Sequence, residues 1–421
     1  MPPLPWTDPL ECAAGLEAQG AFGDADWVLL YSGVRTSYSG RYSYLAFDPQ
    51  ETMRGDALAA FAEKLSADQG RFDNFWLGYL GYGLERPPEA SGEFHLPGLT
   101  MTRFGSVIEF DHDTRGVRAV YGIYPVPVYA SKPPALPKAG AITSNMSKTQ
   151  YLDKAASIIR RTHEGDLYQA NLTRKFNGSF ESEPHAFSVF RSLCAASPAA
   201  YSAFLKLGDT AILSSSPELF VRINAEGRME TRPIKGSMPR FADPTQDAQS
   251  RQTLADSAKD RAENLMIVDL MRNDFSRSCI PGSVLVPSLF DITSHATIHH
   301  MSSTVTGLKS PGCSSLQAVA HCFPPGSMTG APKIRAMQLC AETEGVERGI
   351  YSGAIGWFGG DGACELSVVI RTLILRGKRF EFQVGGGIVA DSAPDREWME
   401  TIDKAKGILL ALGLSPTDLQ F

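Results

Sequence analysis

The ten residues Thr231-Arg232-Pro233-Ile234-Lys235-Gly236-Ser237-Met238-Pro239-Arg240 set one lysine in a Pro/Gly turn flanked by arginines. Pro233 fixes its own φ and biases Arg232 toward extended geometry, while Gly236 lets backbone approach a ligand, so Lys235 is presented with little freedom. That suits a nucleophile, but only a neutral one. From an ordinary pKa of ~10.4, roughly one lysine in a few thousand is neutral at pH 7. Bringing the value near 7 takes ~4–5 kcal/mol of destabilisation of the ammonium, from burial and nearby cations, for which Arg232 and Arg240 are the local candidates. A solvated turn lysine is the bland alternative, and other residues must decide.

Three carboxylates could hold a metal. Glu263 lies where a charged helical stretch turns apolar, and Glu397 and Glu400 stand at i, i+3, on one helix face. A few carboxylates with room for water and substrate are what Mg²⁺ accepts, although each glutamate alone reads as a solvated helix charge. Gly385-Gly386-Gly387, directly after an apolar strand, could offer N–H groups to an anion or could be a flexible turn. Gly326-Ser327-Met328-Thr329-Gly330-Ala331-Pro332-Lys333 could cradle a carboxylate at a helix start, but neither glycine segment is a Walker sequence. His295, His299 and His300 have metal-like spacing without a zincin glutamate. No GxSxG elbow and no GxCxG setting occurs, which disfavours acyl-enzyme hydrolysis and a glutaminase activity in this chain.

The elements that must position these groups are mixed. Ser147-Lys148-Thr149-Gln150 has capping-box spacing ahead of a helix that Gly165 ends. Further helices are expected at 56–67, 250–273, 332–342 and 396–412. Strands are expected at 167–176, at 211–224 with a bend at Pro217, and at 353–358, 363–375 and 380–384. Strands and helices cluster rather than alternate, which favours α+β: a large two-lobed β-sandwich of antiparallel or mixed sheets with helices packed outside. A Pro-rich stretch divides the chain into an N-terminal lobe (1–124), a connection (125–147) and a catalytic lobe (148–421).

The 421 residues are 43% hydrophobic and can bury a large core. A net charge of −6 argues against nucleic-acid binding while leaving room for a local basic pocket. The seven cysteines are scattered and never form CxxC, as expected of reduced thiols. The first residues lack a basic start and an apolar run, and no later stretch approaches the ~20 apolar residues of a membrane span, so the expectation is a cytoplasmic protein.

Taken in order, the motifs resemble the chorismate-utilising enzymes, a family that includes the anthranilate synthase large component, isochorismate and salicylate synthases, and aminodeoxychorismate synthase component I. The match is strong from about Lys148 to Leu412. It is carried by Glu164-Gly165-Asp166-Leu167-Tyr168-Gln169-Ala170-Asn171, Ser215-Ser216-Pro217-Glu218, the Arg232–Gly236 turn, Ala262-Glu263-Asn264 running to Asp274, and Met328 to Lys333. Tyr351-Ser352-Gly353-Ala354, Ile370-Arg371-Thr372 and Gly385 to Glu400 complete it. Relatives that add water to chorismate usually carry a lysine base where this chain has Gln169, and anthranilate-forming relatives usually have alanine in place of Lys235. Pro-Ile-Lys-Gly looks like the aminodeoxychorismate-forming members. Two departures stand out, Phe275-Ser276 for the usual Ile-Gly and Ser237 for the usual threonine, and neither removes a catalytic group.

The resemblance implies Mg²⁺ between Glu263, Glu400 and the ring carboxylate of chorismate, with Glu397 acting through water. It implies that Arg371, Tyr351 and the Gly386–Gly387 backbone hold the enolpyruvyl carboxylate, with Lys404 near the carboxylates and Thr329 and His300 lining the site. Glu218 would be the general acid and Lys235 a covalent nucleophile. Ammonia would come from a separate glutaminase subunit, and the product would serve 4-aminobenzoate and folate synthesis. Ser32, Arg41 and Ser43 are candidates for a tryptophan pocket in the first lobe, with core packing as the alternative. The rival readings are an anthranilate synthase component and a non-catalytic subunit that binds chorismate or tryptophan.

Overall fold

The computed structural model describes residues 5–36, 38–71, 73–85, 94–125, 134–295 and 298–420. Part of the expected 125–147 connection, residues 126–133, lies outside them. One antiparallel ladder runs through most of the chain. From Gln169–Ser179 it passes to Arg379–Ile388, Thr372–Arg376, Thr210–Ser216 and Tyr201–Leu207. It continues through the N-terminal strands Trp27–Tyr31, Tyr42–Gly55, Leu99–Asp111 and Phe75–Leu80. It then returns through Ala354–Gly359, Cys364–Val368, Leu219–Ile223 and Arg228–Arg232 to Ile298–Leu308. Ile234–Pro239 and Leu285–Ser294 both pair with that last strand. The N-terminal strands therefore sit in the middle of the ladder, and the two lobes share a sheet.

Side-chain alternation explains the layers. Val28, Leu77, Tyr79, Ile212 and Ile355 meet in one apolar cluster, while their sequence neighbours Trp27, Leu29 and Leu213 enter a second and Trp76 and Ala354 a third. The first cluster is the filling between the two halves of the folded-over sheet. The other two lie under helices on the outer faces, which gives the expected α+β sandwich with helices outside. The Pro394–Ala411 helix covers one face with Trp398, Ile402, Ala405, Ile408 and Leu409. The Ala258–Ser276 helix covers the other with Ile267, Val268, Met271 and Phe275, each worth ~1.5–3 kcal/mol when buried.

Local chemistry sets the boundaries. Ser147 and Gln150 form the expected capping box of the Lys148–His163 helix. The single helix expected over 250–273 is two, Pro244–Asp256 and Ala258–Ser276. Ser257 is extended at the junction and caps the second by accepting the Asp260 N–H at 3.2 Å. The bend expected at Pro217 is a break between Thr210–Ser216 and Leu219–Ile223, since proline cannot donate to the ladder. The strand expected over 363–375 also divides, at 369–371, where Arg371 adopts φ +50°. Gly385–Gly387 is not a flexible turn: the strand runs on to Ile388, pairing these glycines with Thr173, Leu172 and Asn171. Among the described residues, no helix is long and apolar enough to cross a membrane.

Candidate active site

A cavity of about 720 Å³ opens between the two ends of the ladder, lined by Glu218, Lys235, Glu263, Tyr351, Arg371 and Glu400 among others. A neighbouring cavity of about 360 Å³ shares Pro217, Ile234, His300 and Arg371 with it. The breaks in regular structure are what deliver these side chains. Glu218 sits in the gap after Pro217, and Arg371 in a left-handed conformation at the gap before Thr372. For a residue with a Cβ that conformation is strained and is kept where the surroundings over-determine it.

Lys235 lies in a β-bulge rather than a turn. The ladder with Ile298–Leu308 shifts register between Ile234 and Ser237, and Gly236 takes φ +86°. A Cβ on Gly236 would come within 2.9 Å of the Asp260 side chain, so only glycine fits. The Lys235 Nζ donates to the Ser327 carbonyl at 3.1 Å. Its pKa is lowered, first by burial and then by Lys404, against the opposing pull of Glu263, Glu218 and Glu400. The flanking arginines do not supply this field, contrary to the sequence expectation. Arg232 bonds Glu230 at 2.7 Å and stacks over Tyr38, and Arg240 bonds Asp247 at 2.8 Å. Each guanidinium is thus neutralised locally.

Glu218 is only 5% exposed. Burial pushes its pKa up to about 7, against the lowering effects of the Ser327 hydroxyl, Lys235, the Ile234 N–H and Lys404. Near neutral pH it can therefore give or take a proton. His300 is buried, with Nδ1 lacking a hydrogen-bond partner among the described residues. Desolvation, then Arg371 and the neighbouring histidines, keep it neutral. His299 is engaged elsewhere, with Ser294 and Asp247, so the three histidines form no joint ligand set.

The three acidic residues converge on the same wall. A Cβ on Gly386 would stand 3.4 Å from Glu400 Oε1 and 3.6 Å from Glu397 Oε2. Lys259, which sequence reading passed over, lies 3.6 Å from Glu263 and 3.3 Å from Glu397. Its i, i+4 spacing from Glu263 was the available signal. Lys404 pairs with Glu400 at 2.6 Å and donates to the Gly385 carbonyl at 2.8 Å. Burial raises the Glu263 pKa, whereas Lys404 holds that of Glu400 down. Glu397 accepts from Ser392 at 2.7 Å through Oε1, and its buried Oε2 has no hydrogen-bond partner among the described residues. This oxygen-only donor set suits a hard cation such as Mg²⁺. Among the described residues no three His, Cys, Asp or Glu side chains are gathered closely enough to chelate one, and two lysines counter the acids.

Of the other expected contacts, Tyr351, Arg371, Gly387, His300 and Lys404 line the cavity. Gln169 is fully buried behind Gly387, where an added Cβ would meet its Nε2 at 2.9 Å, and its amide atoms have no hydrogen-bond partner among the described residues. Thr329 departs from expectation. Its buried hydroxyl donates to the Gly326 carbonyl at 3.2 Å, and Ser327 and Met328 face the cavity in its place. Of the first-lobe trio, Ser32 and Ser43 meet, the Ser32 N–H donating to Ser43 Oγ at 2.9 Å, while Arg41 stands apart. Ser32 lines a crevice of about 30 Å³ beside Tyr44, Tyr201 and Trp357, smaller than an indole needs. Ser43 is buried against His112 at 2.8 Å, and Arg41 pairs with Asp111 at the surface.

Residues 27–410 match the family model described as chorismate binding enzyme, and the chain belongs to that family. It is 40% identical over 345 residues to aminodeoxychorismate synthase component 1 of Klebsiella aerogenes, covering 79% of this chain and 76% of the relative. It is 35% identical over 441 residues to anthranilate synthase component 1 of Aeropyrum pernix, covering 98% of each. Anthranilate synthase component I from Streptococcus pneumoniae TIGR4 superposes with a TM-score of 0.76 at 24% identity, over 89% of this chain and 93% of that one, a likeness of fold.

Proposed function

We propose that the chain is the large component of an aminodeoxychorismate synthase, converting chorismate and ammonia to 4-amino-4-deoxychorismate for 4-aminobenzoate and folate synthesis. The observation that carries this reading is the placement of Lys235, deprotonation-prone and aimed into the same cavity as an acid whose pKa is about 7. The 40% identity to an aminodeoxychorismate synthase component supports it.

Chorismate is a dianion, so its binding needs cations and donors. Arg371, Tyr351 and the Gly387 backbone would hold the enolpyruvyl carboxylate, and Mg²⁺ on Glu263 and Glu400, with Glu397 through water, would neutralise the ring carboxylate and fix its position. Protonated Glu218 gives its proton to the C4 hydroxyl, which leaves as water. Neutral Lys235 forms a bond to C2 as both conjugated ring double bonds shift toward C4, where the C–O bond breaks. Ammonia then adds at C4, both double bonds shift back, and the C2–N bond to Lys235 breaks. The Glu218 carboxylate takes the proton that the new amine sheds. The enolpyruvyl group is retained. Buried, uncharged Gln169, in the position where water-adding relatives place a lysine, leaves water without a base. The described cysteines are free thiols, and a separate glutaminase component would supply ammonia in a cytoplasmic setting.

Incubation with chorismate, ammonium and Mg²⁺ tests the reading. Aminodeoxychorismate, trapped by conversion to 4-aminobenzoate, is the expected product. Direct appearance of fluorescent anthranilate with pyruvate would establish the second reading, which the Aeropyrum pernix relative favours by matching 98% of both chains. No turnover with excess ammonium would favour a binding subunit.

A further inference from the structure

Arg348 is 3% exposed and has a pattern of contacts that the catalytic reading leaves unused. A guanidinium carries five N–H donors. Here Nε donates to Glu344 Oε2 at 2.9 Å, and Nη2 donates to Glu344 Oε1 at 2.6 Å and the Asn171 carbonyl at 2.7 Å. Nη1 donates to the Met328 carbonyl at 2.7 Å and to Ser352 Oγ at 3.3 Å. Every donor is used, and Glu344 Oε1 also accepts the Thr173 N–H at 3.0 Å. Both side chains of the pair are 2% exposed.

The acceptors belong to three separate walls of the cavity: the strand bearing Asn171, the turn bearing Met328 and the turn bearing Tyr351 and Ser352. The Met328 turn matters most. Its neighbour Ser327 accepts the Lys235 ammonium through its carbonyl and hydrogen-bonds Glu218 through its hydroxyl, so one residue sets the spacing between nucleophile and acid. A bare packing role would need neither a bidentate fork nor three separate backbone segments as its targets. An apolar pair of similar volume would fill the space without the desolvation of two charges.

We propose that the buried Arg348–Glu344 pair is a positioning element for the amination site. It fixes the Ser327 turn against the Asn171 strand and the Tyr351 turn, and so holds Lys235 and Glu218 at working distance. The proposal rests on the amination reading for its consequence in turnover, but its geometric part can be read in the resting protein. Lysine at this position keeps the charge and loses the fork.

The test compares wild type, Arg348→Lys and Ser352→Ala in the full chain. The measurements are thermal unfolding, kcat and KM for chorismate with ammonium, and the pH dependence of Lys235 acetylation by acetic anhydride, followed by mass spectrometry. For folded Arg348→Lys, kcat falls ~30–100-fold, as expected of a displacement near 1 Å, with KM within ~3-fold. The Lys235 labelling midpoint moves up toward that of a free lysine. Ser352→Ala moves both in the same direction by less, and it decides the matter if Arg348→Lys does not fold. A folded variant with wild-type kcat and labelling midpoint overturns the proposal, as does a loss of activity that only tracks the folded fraction while the midpoint stays put. A shifted midpoint in a protein whose wild type makes no aminated product would leave the positioning role standing and remove the amination reading.

Discussion

Replacing Glu218 with glutamine separates what its burial does for chemistry from what it does to stability. The side chain is 5% exposed, and burial raises its pKa from an ordinary 4.5 to about 7. Ionising the folded site is therefore penalised, at ~1.4 kcal/mol per pH unit, by ~3 kcal/mol in all. The sign follows from the folded value lying above the unfolded one. Any stability the neutral carboxyl contributes is fully present below about pH 4.5 and is lost as pH rises through about 7. Glu218→Gln cannot ionise, so its stability relative to wild type should climb by ~3 kcal/mol between pH 4.5 and pH 8.5. Any packing difference between the side chains shifts both ends alike and drops out of the comparison. Urea unfolding at the two pH values, with m held common, measures it. In the same protein kcat should fall ~10²–10⁴-fold through loss of the acid. A relative stability that does not change with pH, or that falls as pH rises, would refute the placement of Glu218 in a desolvated site.

Three further outcomes follow from the geometry. Lys235→Ala should lower aminodeoxychorismate formation on the order of 10³-fold or more while leaving the melting temperature near wild type; unchanged turnover removes the nucleophile. Glu263→Gln should shift the Mg²⁺ concentration for half-maximal activity upward at least ~10-fold, and a wild-type titration curve would contradict its role as a ligand. Gly236→Ala meets both the left-handed φ and the Asp260 side chain at 2.9 Å. It should cost at least ~1–2 kcal/mol in denaturant unfolding and reduce kcat, and a neutral effect on both would mean that the bulge does not hold Lys235.

What could be read in the sequence was whatever chemistry acts over a few residues. The Ser147–Gln150 box, the helix that follows it, the Glu397/Glu400 face and the break signalled by Pro217 are local, and the structure has them. The continuation of the strand through Gly385–Gly387 could not be read this way. Glycine alone signals a turn, and only the opposing Asn171–Thr173 backbone, more than 200 residues away in sequence, makes it a strand. Electrostatics failed for the same reason. Arg232 and Arg240 are neighbours of Lys235 in sequence, but Glu230 and Asp247 neutralise them, and the charges that act on Lys235 come from Lys404, Glu263 and Glu218. Thr329 was placed by its motif, and a turn of four residues rotates its hydroxyl inward while Ser327 faces the cavity.

The position of the N-terminal strands in the middle of the ladder bears on how the chain is made. During synthesis Phe75–Leu80 emerges long before its partner Ala354–Gly359, and Trp27–Tyr31 waits for Tyr201–Leu207. Such distant pairings slow folding and leave strand edges open to other chains in the meantime. Glu397, Glu400 and Lys404 lie on a helix made still later, so the cavity acquires them only after its other walls have been synthesised. A nascent chain stalled before residue 354 would carry Lys235 and Glu218 on an unfinished sheet and would be a client for chaperones.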